Sequence, residues 1–226
     1  MSENAPKNFW DEPDPPPAGA WAEKRRLAAV LRELVAITVT TDASEDELRA
    51  ATQQAEALVA QLGAHPRRTF KQGFSQCKTL DDFRLFGDRL TLTGKSNPFA
   101  PPMVYSAVGE TAIGEVTFGP AYEGLPGCVH GGLVAAAIDQ VFGFLQVLRG
   151  VRSVTGILTV KYREPTPLET PLRVEAHAVR TEGKKSYIAA TVRANGRITA
   201  EGEGVFVAVG ADRIEGLLEA VQRPKD

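Results

Sequence analysis

Cysteine is almost missing from this chain. Cys77 and Cys128 are the only two among 226 residues, too few for a disulfide framework, and neither stands at metal-ligand spacing from a histidine, an acid or the other cysteine. A reducing, cytoplasmic compartment and no bound metal are therefore expected. An excess of one charge is also missing: 26 Lys and Arg against 28 Asp and Glu leave a net charge of −2, which argues against nucleic-acid binding by bulk charge. Residues 1–70 carry 8 basic and 11 acidic side chains, which disfavours a DNA-reading front module. No apolar run reaches the ~20 residues of a bilayer span. The longest, Leu133 to Leu148, is interrupted by Asp139, Gln140 and Gln146 and predicts a buried helix. The first residues lack the basic-then-apolar order of an export signal, so export is not expected. What is present is core material: 43% hydrophobic and 24% charged residues are the proportions of a soluble globular protein.

Along the chain a helical front precedes a strand-rich back. Residues 1–20, with Pro13, Pro15, Pro16 and Pro17 among acids and small residues, read as a disordered tail. Residues 21–70 read as a helical extension. Leu27, Val30, Leu31 and Leu34 recur at three- and four-residue steps in a first amphipathic helix from Trp21 to about Ile37. A second helix starts at Ser44, where Glu47 completes a capping box, and stops at Gly63. Residues 71–210 form the main domain, and 211–226 a C-terminal tail with a short helix. Strands are predicted at Val104–Val108, Gly114–Phe118, Val154–Tyr162, Leu172–Val179, Ser186–Ala194 and Arg197–Val209. Asn195-Gly196 is a two-residue hairpin signal. Leu172, Val174, Ala176 and Ala178 alternate with Arg173, Glu175 and His177, the period of an antiparallel sheet covered on one face. The fold class is α+β.

The apolar helix that begins near His130 carries the most chemistry. Asp139 shares its helical face with Gly132, Ala135, Ala136, Phe142, Gly143 and Gln146. The opposite face, with Leu133, Ala137, Val141, Phe144 and Leu148, is apolar as well, so the helix is expected to be buried all round. An ionised carboxylate there is costly. Either neighbouring donors satisfy it and it only holds the core together, or it has a chemical task. At the start of the helix, His130-Gly131-Gly132 places bare glycine N–H groups where the first donors lack intrahelical partners, a setting for an anion or an oxyanion. The alternative is a histidine that caps the helix and glycines that relieve crowding.

Gly127-Cys128-Val129-His130-Gly131-Gly132, the apolar helix with Asp139 nine residues after the histidine, and the long antiparallel sheet resemble the hotdog-fold acyl-CoA thioesterases, especially the phenylacetate-pathway type and its actinobacterial relatives. Asn97-Pro98-Phe99-Ala100-Pro101-Pro102 and Tyr122-Glu123-Gly124 resemble segments of the same group. The resemblance spans residues 95–209. It implies an antiparallel sheet wrapped around a long central helix, with the helical front outside. It also implies hydrolysis of acyl-CoA thioesters without a cofactor, coenzyme A being part of substrate and product. Asp139 would then be general base or nucleophile, the Gly131 N–H would polarise the thioester carbonyl beside His130, and Thr155 would orient the carboxylate or the water. Gly132 and Asn97 fall in the substrate-contacting segments. An acyl-CoA-binding sensor or scaffold is the alternative, and a hotdog dehydratase is disfavoured because no histidine follows Asp139 on the helix.

Spacing adds a constraint of its own. Gly131 and Asp139 are eight residues apart, about 12 Å along a helix, so one carbonyl cannot meet both. Two chains with antiparallel helices would place the amide end of one beside the middle of the other, making a homodimer with composite sites; pairing of dimers into a tetramer is left open. The phosphates of coenzyme A call for local cations, for which Arg149, Arg152, Lys184 and Lys185 are candidates. Tyr105, Leu133, Phe142 and Phe144 either line an acyl tunnel or are plain core. Cys128 with His130 makes a poor thiol nucleophile for want of a third orienting residue, and His65 and His177 look incidental.

Overall fold

Ser44 and Glu47 form the capping box their spacing predicts: the Ser44 hydroxyl accepts from the Glu47 N–H, and the Glu47 carboxylate accepts from the Ser44 N–H. They start α2 (Glu45–Gly63), which follows α1 (Gly19–Thr40). The structure is a computed structural model that describes residues 17–67 and 85–210. Most of the proline-rich tail and the C-terminal segment with its expected short helix lie outside the described residues, as does the start of the main domain. Helix α1 begins two residues earlier than periodicity suggests, inside the segment assigned to the tail. None of the residues of α2 is buried, whereas α1 docks on the loop before the first strand.

That docking is polar. Asp88, only 6% exposed, accepts from Trp21 Nε1 at 2.7 Å, Arg25 Nε at 2.7 Å and Ser96 Oγ at 2.6 Å. Burial pushes its pKa up, but the hydrogen bonds from Arg25, Ser96 and Trp21 outweigh burial and hold it below the ordinary carboxylate value. About two helical turns beyond Arg25, Arg32 donates to the Asn97 carbonyl at 2.8 Å.

The main domain is one six-stranded antiparallel sheet. Its strands are β1 (Val104–Val108), β2 (Thr111–Thr117), β3 (Ser153–Tyr162), β4 (Pro171–Glu182), β5 (Lys185–Ala194) and β6 (Arg197–Ala208), in the spatial order β1-β2-β4-β5-β6-β3. The predicted alternation holds: Leu172, Val174 and Ala176 are buried while His177 is exposed. Across one face lies α3 (Gly131–Leu148), packed on β2 to β6. Glycines let it approach closely. A Cβ on Gly204 would stand 2.7 Å from the Phe142 ring, and one on Gly202 would collide with Ile138. This is the hotdog arrangement, a long helix laid in an antiparallel sheet.

Burial of α3 is one-sided, which corrects the expectation of burial all round. Val134, Ala137, Ile138, Val141, Phe142, Phe144, Leu145 and Gln146 are buried against the sheet. The small residues Gly132, Ala135, Ala136 and Gly143, with Asp139 among them, are half-buried or exposed. Hydropathy registers that a helix is apolar; it does not register which side the chain itself can cover. By length and composition α3 alone among the described helices could cross a membrane, but here it is the floor of the core.

Candidate active site

Four backbone N–H groups at the start of any α-helix lack intrahelical partners. In α3 three of the four are satisfied locally. The His130 N–H donates to the Tyr122 carbonyl at 2.9 Å, the Gly132 N–H to His130 Nδ1 at 3.1 Å and the Leu133 N–H to the His130 carbonyl at 2.8 Å, and that carbonyl also accepts the first intrahelical bond, from the Val134 N–H at 3.3 Å. His130 thus caps the helix with both its ring and its carbonyl. The Gly131 N–H donates to no described residue. It belongs to the same peptide as the doubly engaged His130 carbonyl, an arrangement that polarises the N–H and makes it a better donor. Of the two candidate glycines the geometry therefore singles out Gly131; Gly132 has its N–H committed to His130 and presents only its exposed backbone.

The loop that delivers His130 is fixed from several sides. The His130 N–H donates to the Tyr122 carbonyl at 2.9 Å, the Val129 N–H to the Thr166 carbonyl at 2.8 Å, and the Gly127 N–H to the Glu123 carboxylate at 2.6 Å. Gly124 presses on His130, since a Cβ there would lie 2.8 Å from the His130 Cα. Cys128 is half-buried, with its thiol directed at the Pro126 carbonyl rather than at His130.

Asp139 lies two turns further along α3, half-buried, and its carboxylate accepts from the Thr155 hydroxyl at 2.8 Å. The strand geometry that permits this contact was not predicted. Leu158, Val160 and Tyr162 of β3 stand opposite Gly204, Gly202 and Ala200, on the side facing α3. Strict alternation would then turn Thr155 away from the helix. A bulge between Thr155 and Ile157 inserts Gly156 as an extra residue, so that Thr155 pairs with the buried Phe206 and faces Asp139. Two residues earlier Ser153 faces inward as well and accepts from Gln146 Nε2 at 3.0 Å.

The four basic candidates come together at the opposite end of α3. The Arg149 guanidinium donates to Gln146 Oε1 at 3.0 Å, Ser186 Oγ at 3.4 Å and Thr181 Oγ1 at 3.0 Å. Lys184 and Lys185 are exposed on the hairpin between those last two residues. Lys184 and Arg152 accept the successive N–H groups of Ala208 and Val209 through their carbonyls. Asn97 is otherwise engaged: its amide donates to the Arg89 and Leu90 carbonyls and its Oδ1 accepts from the Phe99 N–H, so it organises the loop on which α1 rests. Phe142 and Phe144 are buried core, and Tyr105 stacks on Phe144 with centroids 4.2 Å apart while its hydroxyl accepts from Gln140. Burial pushes the Tyr105 phenol well above its ordinary pKa. Among the described residues no three His, Cys, Asp or Glu side chains group as metal ligands would.

An open helix-terminal N–H and a threonine-held carboxylate thus lie on one apolar helix, laid across the antiparallel sheet of a hotdog fold. Residues 126–201, which hold Gly131, Asp139 and Thr155 but not β1 and β2, match the family model described as Thioesterase superfamily. Two curated relatives are the acyl-coenzyme A thioesterase THEM4 of Mus musculus, 30% identical over 42% of this chain and 41% of its own, and that of Xenopus laevis, 34% identical over 34% of this chain and 35% of its own. The chain thus matches less than half of the length of these curated relatives. The crystal structure of a thioesterase superfamily protein superposes with a TM-score of 0.71 at 26% identity, covering 88% of this chain and 98% of that one. Coverage of that extent takes in the helical front as well as the sheet.

Proposed function

We propose that the protein hydrolyses acyl-coenzyme A thioesters to the free acid and coenzyme A. One observation carries this reading: the first turn of α3 leaves a single N–H open, at Gly131, while the same helix holds a threonine-oriented carboxylate, at Asp139. The names of the curated relatives agree with it. A thioester is already electrophilic, so an aimed N–H donor and a carboxylate suffice, and no metal or cofactor enters the reaction. The Gly131 N–H takes the negative charge that develops on the carbonyl oxygen. Asp139 either removes a proton from the attacking water or attacks the carbonyl itself, with Thr155 fixing its orientation.

The two groups act across a homodimer. Eight helical residues separate them by about 12 Å, so each site combines Gly131 of one protomer with Asp139 of the other. Two features of the single chain support this. The half-exposed face of α3 is lined by small residues that let a second helix come close, and β3 is a sheet edge that exposes Val154 and Ile157. A long edge strand with exposed apolar residues is a template for pairing. Arg149, the C-cap of α3, lies ten residues beyond Asp139, about 15 Å along the helix, and with Arg152, Lys184 and Lys185 at that same end it offers cations at a remove suited to the phosphates of a long-armed thioester.

Purified protein incubated with acyl-CoA esters of graded chain length and with aryl-CoA esters, in the presence of a thiol reagent, tests the proposal. Release of free coenzyme A is the expected result. Saturable binding with no thiol released from any ester would make the protein an acyl-CoA-binding module instead.

A further inference from the structure

The carbonyl side of the Gly131 residue is held as deliberately as the capped N–H groups around it. Tyr162, the last residue of β3, donates its phenol O–H to the Gly131 carbonyl at 2.8 Å. Its ring lies over the same glycine, for a Cβ on Gly131 would stand 3.3 Å from the ring and from the hydroxyl oxygen. Tyr162 is nonetheless 55% exposed, so its place there is not explained by burial of an aromatic surface. It shares the helix-facing side of β3 with Thr155, which holds Asp139. One strand thus supports both groups of the site, each through one hydroxyl.

We infer that Tyr162 is a positioning residue for the oxyanion donor, an inference that rests on the hydrolase reading above. The phenol fixes the plane of the peptide between Gly131 and Gly132, and the Gly132 N–H of that same peptide is the group that His130 Nδ1 accepts. With one peptide pinned at both its carbonyl and its N–H, and the preceding one pinned by two donors to the His130 carbonyl, the Gly131 N–H has a fixed direction before substrate arrives. The ring also shields one side of Gly131, leaving a carbonyl to approach from the other. Preset donors contribute more to catalysis than donors that must be reoriented during the reaction.

Tyr162→Phe keeps the ring and removes only the hydroxyl, and its exposure makes the change tolerable to the fold. The expected result is a loss of about tenfold in kcat with KM within about twofold of wild type, smaller than the loss on removing a donor outright. Hydrogen exchange of the segment 130–134 should accelerate while the rest of the sheet and the melting temperature stay as they were. Tyr162→Leu, which lacks the ring as well, should lose at least as much. Unchanged kcat in both variants, or a lower melting temperature with no specific acceleration at 130–134, overturns the inference and leaves Tyr162 a structural residue. If the wild-type protein releases no thiol from any ester, the hydrolase reading fails by itself, and the exchange measurement still decides whether Tyr162 holds the Gly131 peptide.

Discussion

At the scale of single residues, Asp139 is a carboxylate that lies among Gly132, Ala135, Ala136 and Gly143 on the half-exposed side of its helix and, among the described residues, accepts from a hydroxyl on another element. Asp139→Asn preserves shape and hydrogen bonding to Thr155 but removes the proposed base or nucleophile, and is expected to lower kcat at least ~100-fold with the circular-dichroism spectrum and melting temperature retained. Thr155→Ala, which frees the carboxylate without removing it, should cost about tenfold. Activity surviving intact in Asp139→Asn would place the reaction elsewhere. Gly131, Asp139 and the cap by His130 were legible because they lie within ten residues on one helix, where a period of 3.6 fixes what faces what. Thr155 facing Asp139 depends on a bulge set by pairing with Phe206 and Val205, about fifty residues away in sequence. Tyr162 was missed altogether: its contact spans 31 residues, and an aromatic residue at the end of a strand is usual for strands in general.

At the scale of elements, two contacts decide how helices sit. Helix α3 lies against glycines, and Gly204→Ala would drive a methyl group to 2.7 Å from the fully buried Phe142 ring. That overpacking is expected to destabilise by about 1–3 kcal/mol in urea unfolding. Helix α1 is tied by Asp88, whose pKa in the folded protein is lowered. The stabilisation it gives is present in full above the ordinary carboxylate pKa and is lost as pH falls through the lowered folded value. The protection of α1 amides, measured against their intrinsic exchange rate at each pH, should therefore fall below about pH 4, and Asp88→Asn should show the lower protection already at neutral pH with little further change on acidification. An Asp88→Asn protein as protected as wild type would remove Asp88 from this role. The capping box of α2 and all six strands were readable from local pattern, with ends shifted by a few residues. The Asp88 latch was not, because Trp21 and Arg25 meet it from 67 and 63 residues away and nothing in the sequence near Asp88 marks it as buried.

At the scale of the whole molecule, the proposed homodimer rests on a half-covered helix, an open strand edge and two site groups too far apart for one substrate. Ile157→Lys, a charge placed on the exposed side of β3 where a neighbouring strand would pair, should shift the protein toward monomer in sedimentation analysis and reduce activity in proportion. An active monomer would break the link between assembly and chemistry. The composite site itself is tested most directly by complementation. Asp139→Asn lacks the carboxylate; Gly131→Pro lacks the N–H, and proline suits the first position of a helix that follows an extended residue such as His130, with φ −58° and ψ 130°. Each parent should fold, dimerise and be nearly inactive. Heterodimers formed from the two, with subunit exchange verified by mass, carry one site that has both groups and one that has neither. The account predicts that they regain about half the wild-type activity per dimer; verified heterodimers as inactive as their parents would contradict it.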